Sequence, residues 1–538
     1  MTPVVIDDGG GAIAVSGVSA AADWAPGRPR RRPANDPSAP GQPDPAAAQG
    51  AGRQRRAGTA HGHRHEGGAI ALSSERGARH TYDLAIVGSG GGAFAAAIAA
   101  RRRSLLVVMI EHATIGGTCV NVGCIPSKAL LAAAESRHHA GDARFTGIRT
   151  SAGPVDFGAL IAAKDEIVDG LRQRKYLDIA ADYGIDVLDG HARFVDGLTL
   201  DVDGRRIDAA HYLIATGAEA HIPDDVPGLA DSGYLTSTTA MALDDLPESM
   251  IVIGGGYVAM EQAQLFSQLG TRVTILVRSS LARREEPELA HGIREAFTDQ
   301  GIAVFAGVQP TVVRRDGDIT VIAGDREFRA AQLLVATGRA PRTADLGLQA
   351  VGVETGGRGE VVVGDDLSTT NPRVWAAGDV TGHPQFVYVA ARHGALVVDN
   401  AFGRAARRVD YDALPRITFT SPTLASAGLT EAQAVERGVR CESRVLGLEH
   451  VPRAIVRGDT RGLVKLVAEH DSGRVVGVHL LADGAGDAIL AGVYAIEGAM
   501  TVAQLASSWN PYLTIGEAIW LAAQSFTRDP GTLSCCAT

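Results

Sequence analysis

The 538-residue chain lacks several features that would place it in a specialised class. Aromatic residues make up only 5% of it, and no apolar run reaches the roughly 18 residues of a membrane-spanning helix. Lysine and arginine do not outnumber the acidic residues, and the formal net charge is −10. Such a charge argues against a non-specific nucleic-acid binder. We therefore expect neither a membrane nor a nucleic acid as a partner.

The N-terminus lacks the pattern of a secretory signal. Asp7 and Asp8 stand where a signal would carry positive charge, and the arginines at 30–32 precede polar, Pro-rich sequence instead of an apolar core. We expect a cytoplasmic protein. Residues 1–79 are rich in Ala, Pro, Gly and Arg without a periodic apolar face, so we expect a disordered tail. The alternative is a start codon assigned too far upstream.

Cysteine is also scarce. Five cysteines in a chain of this length do not form a structural disulfide framework. Their placement is nevertheless specific: Cys119 and Cys124 form one pair, Cys535 and Cys536 form another, and Cys441 stands alone.

Two strand–turn–helix–strand units are present. The apolar run 83–87 leads into the turn 88–93 (GSGGGA), an Ala-rich helix and a second strand over about 105–110. The run 250–253 leads into the turn 254–259 (GGGYVA), a helix to about Leu269 and a strand over 272–277. Two such units predict two bound dinucleotides.

Each residue of these turns has a physical role. The first glycine (Gly88, Gly254) permits the tight bend, and the second (Gly90, Gly256) lets the backbone approach a pyrophosphate. The small third residue (Ala93, Ala259) allows close packing of helix on strand. The phosphates would then lie on free N–H groups at a helix N-terminus.

The ends of the second strands distinguish the two nucleotides. Glu111 is placed to accept hydrogen bonds from a ribose with free hydroxyls, as in FAD. In the second unit Val277 is followed by Arg278, with Arg283 and Arg284 close behind. Arginines there suit a 2′-phosphate and favour NADPH over NADH; the alternative is that they only cover a surface.

A cysteine motif follows Glu111. Residues 116–128 read GGTCVNVGCIPSK, and an apolar helix is predicted from Ser127. The four-residue gap between the cysteines differs from that of thioredoxin-like sites and most zinc knuckles, and no second ligand pair lies nearby. Cys124 lies at a helix start, where the helix dipole and Lys128 would stabilise a thiolate able to exchange electrons with a flavin.

This motif resembles the active-site signature of the pyridine nucleotide-disulfide oxidoreductases, and the resemblance extends from about residue 80 to the C-terminus. Further landmarks are 215–217 (ATG), 336–339 (ATGR) and 376–379 (AAGD). The resemblance implies that Cys124 is the flavin-proximal thiol, that Cys119 is the exposed one, and that Lys128 pairs with Glu261 beside the flavin ring. It implies FAD contacts from the following residues: Gly117, Thr118, Lys128, Thr216, Gly217 and Asp379.

The resemblance also implies an architecture. The fold class is α/β, with two Rossmann-like domains for FAD and NADPH and a C-terminal α+β dimerisation domain. The expected divisions are 1–79 for the tail, 80–220 and 341–408 for the FAD-binding domain, 221–340 for the NADPH-binding domain and 409–538 for the dimerisation domain. A homodimer with an active site shared between subunits is implied.

Departures from the common pattern indicate a branch of the family. Disulfide reductases carry a C-terminal His-Glu dyad, but Tyr512 stands at the histidine position ahead of Thr514 and Glu517. A phenol is a poor proton donor near pH 7. Cys535 and Cys536 are soft ligands for soft metal ions. The combination of Tyr512 with this C-terminal cysteine pair resembles the mercuric reductases, and so does the run 384–391 (PQFVYVAA). In those enzymes a tyrosine aligned with Tyr234 assists the metal.

The expected reaction follows from that resemblance. NADPH reduces FAD, FAD reduces the Cys119–Cys124 pair, and Hg(II) carried by small thiols arrives through Cys535 and Cys536. Residues 1–79 contain no cysteine, so the small metal-binding domain of many such enzymes is not expected. Three alternatives remain: a thioredoxin reductase of the larger type, a dihydrolipoamide dehydrogenase, and a non-catalytic protein that sequesters metal with four thiols.

Overall fold

The structure, a computed structural model, describes residues 81–532 except Asp196 and Ala405. The tail predicted over residues 1–79 and the Cys535–Cys536 pair lie outside the described residues.

The helices and strands fall into four stretches along the chain. The first stretch comprises β1 (Tyr82–Val87), α1 (Gly91–Arg101), β2 (Val107–Glu111), α2 (Gly117–Asn121), α3 (Cys124–Gly141), α4 (Phe157–Arg172), a π-helical turn (Gln173–Leu177), α5 (Asp178–Asp182), β3 (Asp186–Asp189), β4 (Ala192–Val195), β5 (Thr199–Val202), β6 (Arg205–Ile207), β7 (Ala209–Ile214) and β8 (Ala218–Ala220). The second comprises α6 (Ser237–Ala240), β9 (Ser249–Ile253), α7 (Tyr257–Leu269), β10 (Arg272–Val277), α8 (Pro287–Asp299), β11 (Ala303–Ala306), β12 (Val312–Asp316), β13 (Asp318–Ala323), β14 (Arg326–Ala330) and β15 (Gln332–Val335). The third comprises β16 (Arg339–Pro341), β17 (Val374–Ala376) and α9 (Val387–Phe402). The last comprises β18 (Arg416–Thr418), β19 (Thr423–Gly428), α10 (Glu431–Glu436), β20 (Cys441–Gly447), α11 (Pro452–Arg457), β21 (Leu463–Glu469), β22 (Val475–Ala482), α12 (Ala485–Glu497), α13 (Val502–Ala506) and α14 (Gly516–Gln524).

Two parallel sheets carry the glycine turns. The first has the order β17-β7-β1-β2-β3, and the second has the order β11-β10-β9-β15. The central strands β1 and β9 are buried along most of their length, as expected for parallel strands covered on both faces. In each sheet the glycine turn follows a central strand, so its helix begins at the carboxyl edge, where α/β sheets bind ligands.

Strand β17 returns to the first sheet from far along the chain, pairing with β7 in parallel. Helix α9, which follows β17, packs against α1 so closely that a side chain at Gly394 would collide with the backbone at Gly92. The α/β fold class with two nucleotide-binding units is thereby confirmed.

The last stretch forms a sheet of the order β18-β19-β22-β21-β20, and all its pairs are antiparallel. Helices α12 and α14 contribute buried residues to the core cluster on this sheet. Such an antiparallel sheet with helices on it is an α+β arrangement. Within the described residues, no helix combines the length and apolarity needed to cross a membrane.

Two element boundaries predicted from sequence are wrong. The second strand starts at Val107 instead of about Leu105, and the helix expected from Ser127 starts at Cys124. Pro126 explains the second error, because proline is tolerated in the first turn of a helix, where its missing N–H would have no partner.

Candidate active site

A cleft of about 1000 Å³ opens at the carboxyl edge of the first sheet. Its lining brings together segments that are distant in sequence: the first glycine turn, the redox cysteines, Thr216–Gly217, the start of α7 and the Gly378–Asp379 turn. The segments that the sequence predicted to bind FAD therefore meet at one cleft.

The first turn has the geometry of a phosphate cradle. Gly88 has φ +106°, and a side chain there would collide with the carbonyl of Ala215 on the neighbouring strand. None of the described side chains caps the N-terminus of α1, so its first N–H groups can bind a ligand. A Cβ at Gly117 would lie 2.7 Å from the Cα of Gly90, so a glycine at position 117 allows the cysteine-bearing segment to lie against this turn.

Among the carboxylates that line the cleft, Glu111 and Asp379 lie at separate points. Glu111 ends β2, and its oxygens accept hydrogen bonds from the Ser89 hydroxyl at 2.6 Å and the Ala113 N–H at 2.9 Å. Burial raises the pKa of the Asp379 carboxyl, and Arg339, 3.5 Å away, partly offsets this rise. The cradle, Glu111 and Asp379 are chemically suited to FAD.

The redox cysteines lie on consecutive helices. Cys119 is in α2, and Cys124 is the first residue of α3, at the positive end of the helix dipole. Both are free thiols. A hydrogen bond from Cys119 is the largest cause that lowers the pKa of Cys124, and Lys128 adds to it; burial and Glu261 act in the opposite direction, and the net pKa is about 7. The same hydrogen bond raises the pKa of Cys119, so Cys124 is the thiolate of the pair.

The ion pair implied for Lys128 and Glu261 is present. The Lys128 Nζ lies 2.7 Å from a Glu261 oxygen, and the Glu261 side chain is only 5% exposed. The other Glu261 oxygen accepts the backbone N–H of Phe419 at 2.9 Å, and the Phe419 ring centroid lies 4.7 Å from the Lys128 Nζ.

The second glycine turn repeats the geometry of the first. Gly254 has φ +137°, and a side chain there would collide with the Ala336 carbonyl. In the part of the chain that the structure describes, no side chain caps the N-terminus of α7, and Ala259 is fully buried. Arg278 and Arg284 follow β10 as exposed residues, and neither makes an ion pair with any other residue that the structure describes.

The two predicted tyrosines lie away from the lining of this cleft. Tyr234 is half-buried against the apolar cluster of the second sheet. Tyr512 is 47% exposed in the loop before α14. Its neighbour Leu513 donates its N–H to Glu517, whose pKa is raised by burial. Among the described residues, therefore, neither tyrosine lines the cleft that holds the Cys119–Cys124 pair.

Three cleft-side residues were not assigned a role from sequence. Tyr257 lines the cleft at the start of α7, and burial raises its pKa to about 12. Arg339 belongs to the 336–339 family motif, so the sequence marked its position although no role was assigned to it. Phe419 lies in none of the sequence motifs.

Comparison with known proteins places the chain in a family. Residues 82–394 match the family described as pyridine nucleotide-disulphide oxidoreductase, and residues 414–523 match its dimerisation domain. The mercuric reductase of Streptomyces lividans is 58% identical over 467 residues, which are 85% of this chain and 98% of that protein. The chain belongs to the mercuric reductases of this family.

Other mercuric reductases show the same relationship at lower identity. That of Staphylococcus aureus is 44% identical over 85% of this chain and 84% of its own length. Among solved structures, the Cu(II) complex of the HOCl-induced flavoprotein disulfide reductase RclA from Escherichia coli matches with a TM-score of 0.76. The two sequences are 29% identical, and the match covers 84% of this chain and 100% of the RclA chain.

Proposed function

We propose that this chain reduces Hg(II) to Hg(0) with NADPH, using FAD and the Cys119–Cys124 pair. The observation that carries the proposal is a thiol–thiolate pair on the wall of a dinucleotide cleft, in a chain 58% identical to a mercuric reductase. When bound, FAD accepts a hydride from NADPH and supplies electron pairs to the cysteines.

The residues of the cleft would hold the cofactor as follows. The free N–H groups of α1 bind the pyrophosphate, Glu111 accepts hydrogen bonds from the adenosine ribose, and Asp379 binds the ribityl chain. Lys128 lies beside the ring, at a place fixed by Glu261. In the second domain, the N-terminus of α7 binds the NADPH pyrophosphate, and Arg278 and Arg284 pair with the 2′-phosphate.

The cysteines supply the metal chemistry. Thiolates are soft ligands that suit a soft metal ion, so Cys119 and Cys124 bind Hg(II) through two sulfur–mercury bonds. Cys124 binds first because its pKa is about 7, and Cys119 follows as it loses its proton. Two electrons then convert the metal to Hg(0), which leaves both sulfurs. For thiol-complexed Hg(II), each turnover oxidises one NADPH to NADP⁺, takes up one proton and returns the two carrier thiols to solution.

Delivery of the metal involves the partner subunit. We infer a homodimer in which Cys535 and Cys536 of one chain take Hg(II) from small thiols and pass it to Cys119 and Cys124 of the other. In that assembly Tyr512, which is exposed in the single chain, and Tyr234 flank the metal. The cytoplasm is the proposed location, because NADPH and thiol carriers are both available there.

The test is NADPH oxidation with HgCl2 in excess small thiol, compared among variants. Cys124→Ala and Cys119→Ala should each abolish the mercury-dependent rate, whereas Cys441→Ala should keep it, since Cys441 lies on β20 and does not line the cleft. Mercury-independent oxidation that instead requires a disulfide substrate would replace the proposal with a disulfide reductase.

A further inference from the structure

The turn that carries Asp379 packs closely against helix α9. This turn, Gly378–Thr381, is a short 3-10 helix (the Asp379 turn), and both Gly378 and Asp379 line the cleft. Gly378 has φ +78°, and a Cβ there would lie 3.0 Å from the Cβ of Ala390 in α9. Because the turn and the helix are this close, the position of Asp379 depends on what α9 offers to the backbone of the turn.

A side chain of α9 accepts the first N–H of the Asp379 turn. The Gly378 N–H donates to Nδ1 of His393 at 3.2 Å. His393 lies one helical turn beyond Ala390 on the same face of α9, and it is fully buried. A buried N–H without a partner is destabilising, so the His393 ring stabilises this conformation of the turn. The Gly378 carbonyl is held separately, by the Thr381 hydroxyl at 2.8 Å.

Two residues outside α9 orient the His393 ring: His383, which precedes the helix, and Tyr411, which follows it. Nε2 of His393 lies 2.7 Å from the Tyr411 hydroxyl, and that hydroxyl lies 2.9 Å from Nδ1 of His383. Since Nδ1 of His393 accepts a hydrogen bond, the proton of the neutral ring is on Nε2, which donates to Tyr411. The Tyr411 hydroxyl then donates to His383. The hydrogen bonds therefore run in one direction, from the Gly378 N–H to His383.

Burial keeps the middle of this hydrogen-bond chain neutral. It lowers the pKa of His393 to about 4, and the neighbouring His383 acts in the same direction. It also raises the pKa of Tyr411 to about 12. Near pH 7, Nδ1 of His393 therefore retains the lone pair that accepts the Gly378 N–H.

We propose that His393 and Tyr411 are positioning residues that hold the Asp379 turn in the conformation that binds FAD. Without the acceptor on α9, the Gly378 N–H must find another partner, and the turn moves together with the Asp379 carboxylate. An unpartnered buried N–H corresponds to about a 5- to 150-fold change in an equilibrium constant, which would appear in the affinity for FAD. The proposal rests on the proposed function only in that FAD is the ligand of this turn.

The experiment measures the dissociation constant of FAD at pH 7 and needs no mercury. FAD-loaded protein is diluted, and free flavin is separated from bound flavin by ultrafiltration and quantified by fluorescence. His393→Leu, which removes the acceptor and keeps a bulky side chain, should raise the dissociation constant at least about fivefold. His393→Asn, whose Oδ1 can accept in place of Nδ1, should bind FAD clearly more tightly than His393→Leu does. Tyr411→Phe should raise the constant about two- to tenfold, because the His393 ring then loses the partner that fixes its tautomer.

His479→Leu is the matched control, because His479 is also fully buried but lies on β22 and does not line the cleft. It should bind FAD as the wild type does. The proposal is overturned if His393→Leu binds FAD like this control, if His393→Asn binds no better than His393→Leu, or if Tyr411→Phe leaves the dissociation constant unchanged. If His393→Leu does not fold, judged by circular dichroism, Tyr411→Phe decides by the same criterion. Absence of mercury reduction in a wild-type protein that binds FAD would refute the proposed function and leave this proposal standing.

Discussion

Cys119→Ala removes the hydrogen bond that contributes most to the low pKa of Cys124. Without it, burial and Glu261, which raise the pKa, are opposed by Lys128 and a backbone hydrogen bond at the helix start, and we expect the pKa to return from about 7 to the ordinary thiol value of about 8.5 or above. At pH 7 the thiolate fraction would fall about 15-fold, from one half to about 3%.

The assay is alkylation of Cys124 by iodoacetamide in the reduced protein between pH 5 and 10, with the site resolved by fragment-ion mass spectrometry. The quantity to compare is the midpoint, the pH at which the alkylation rate of Cys124 is half of its maximum. A rate at a single pH is less informative, because a thiolate of higher pKa is also more nucleophilic and the difference in rate is reduced. Lys128→Met should raise the midpoint less than Cys119→Ala does, since Lys128 is a smaller cause of the shift.

Cys441→Ala is the control and should leave the Cys124 midpoint unchanged. A Cys119→Ala protein whose Cys124 midpoint stays within a few tenths of the wild-type value would refute this reasoning. The low pKa would then have to come from the helix terminus and Lys128 alone.

Three further predictions concern the delivery of mercury and the two nucleotide sites. Replacing both residues of the Cys535–Cys536 pair with alanine should lower the rate with thiol-complexed Hg(II) at least tenfold; an undiminished rate would exclude the relay. Gly88→Ala should yield a colourless protein, because the new side chain collides with the Ala215 carbonyl at a positive φ, whereas Gly438→Ala, with φ +75° and open space around it, should remain yellow. Arg278→Glu combined with Arg284→Glu should raise the KM for NADPH at least tenfold, since each charge-assisted hydrogen bond contributes about 1.5–3 kcal/mol, and should leave the KM for NADH nearly unchanged. An equal rise in the KM for NADPH and in the KM for NADH would show that these arginines do not bind the 2′-phosphate.

The sheets and glycine turns were predictable from sequence because their signals are local. A buried apolar run followed by glycines at fixed spacing specifies a strand, a turn and a helix without reference to the rest of the chain. The strand β10 begins and ends at the predicted residues, Arg272 and Val277. The start of α3 was less predictable, because a proline near a helix start can lie either within the first turn of the helix or just before the helix begins.

The contacts of the site were predictable only where a motif carried them. The Lys128–Glu261 pair was expected from family resemblance, since neither residue alone indicates a partner 133 positions away. Phe419 was missed because its contacts with Lys128 and Glu261 arise from where β18 ends in the folded chain, and no local pattern records that position. The proposed placement of Tyr512 near a metal would depend on a second subunit, which a single chain does not contain.

The most direct test of the central claim is the stoichiometry of mercury release. The purified FAD-loaded protein is given NADPH, HgCl2 and excess small thiol under a gas stream, and Hg(0) in the stream is measured against NADPH consumed. The account predicts one Hg(0) for each NADPH oxidised, with no release from Cys124→Ala. NADPH oxidation without volatile mercury, or release that persists in Cys124→Ala, would contradict it.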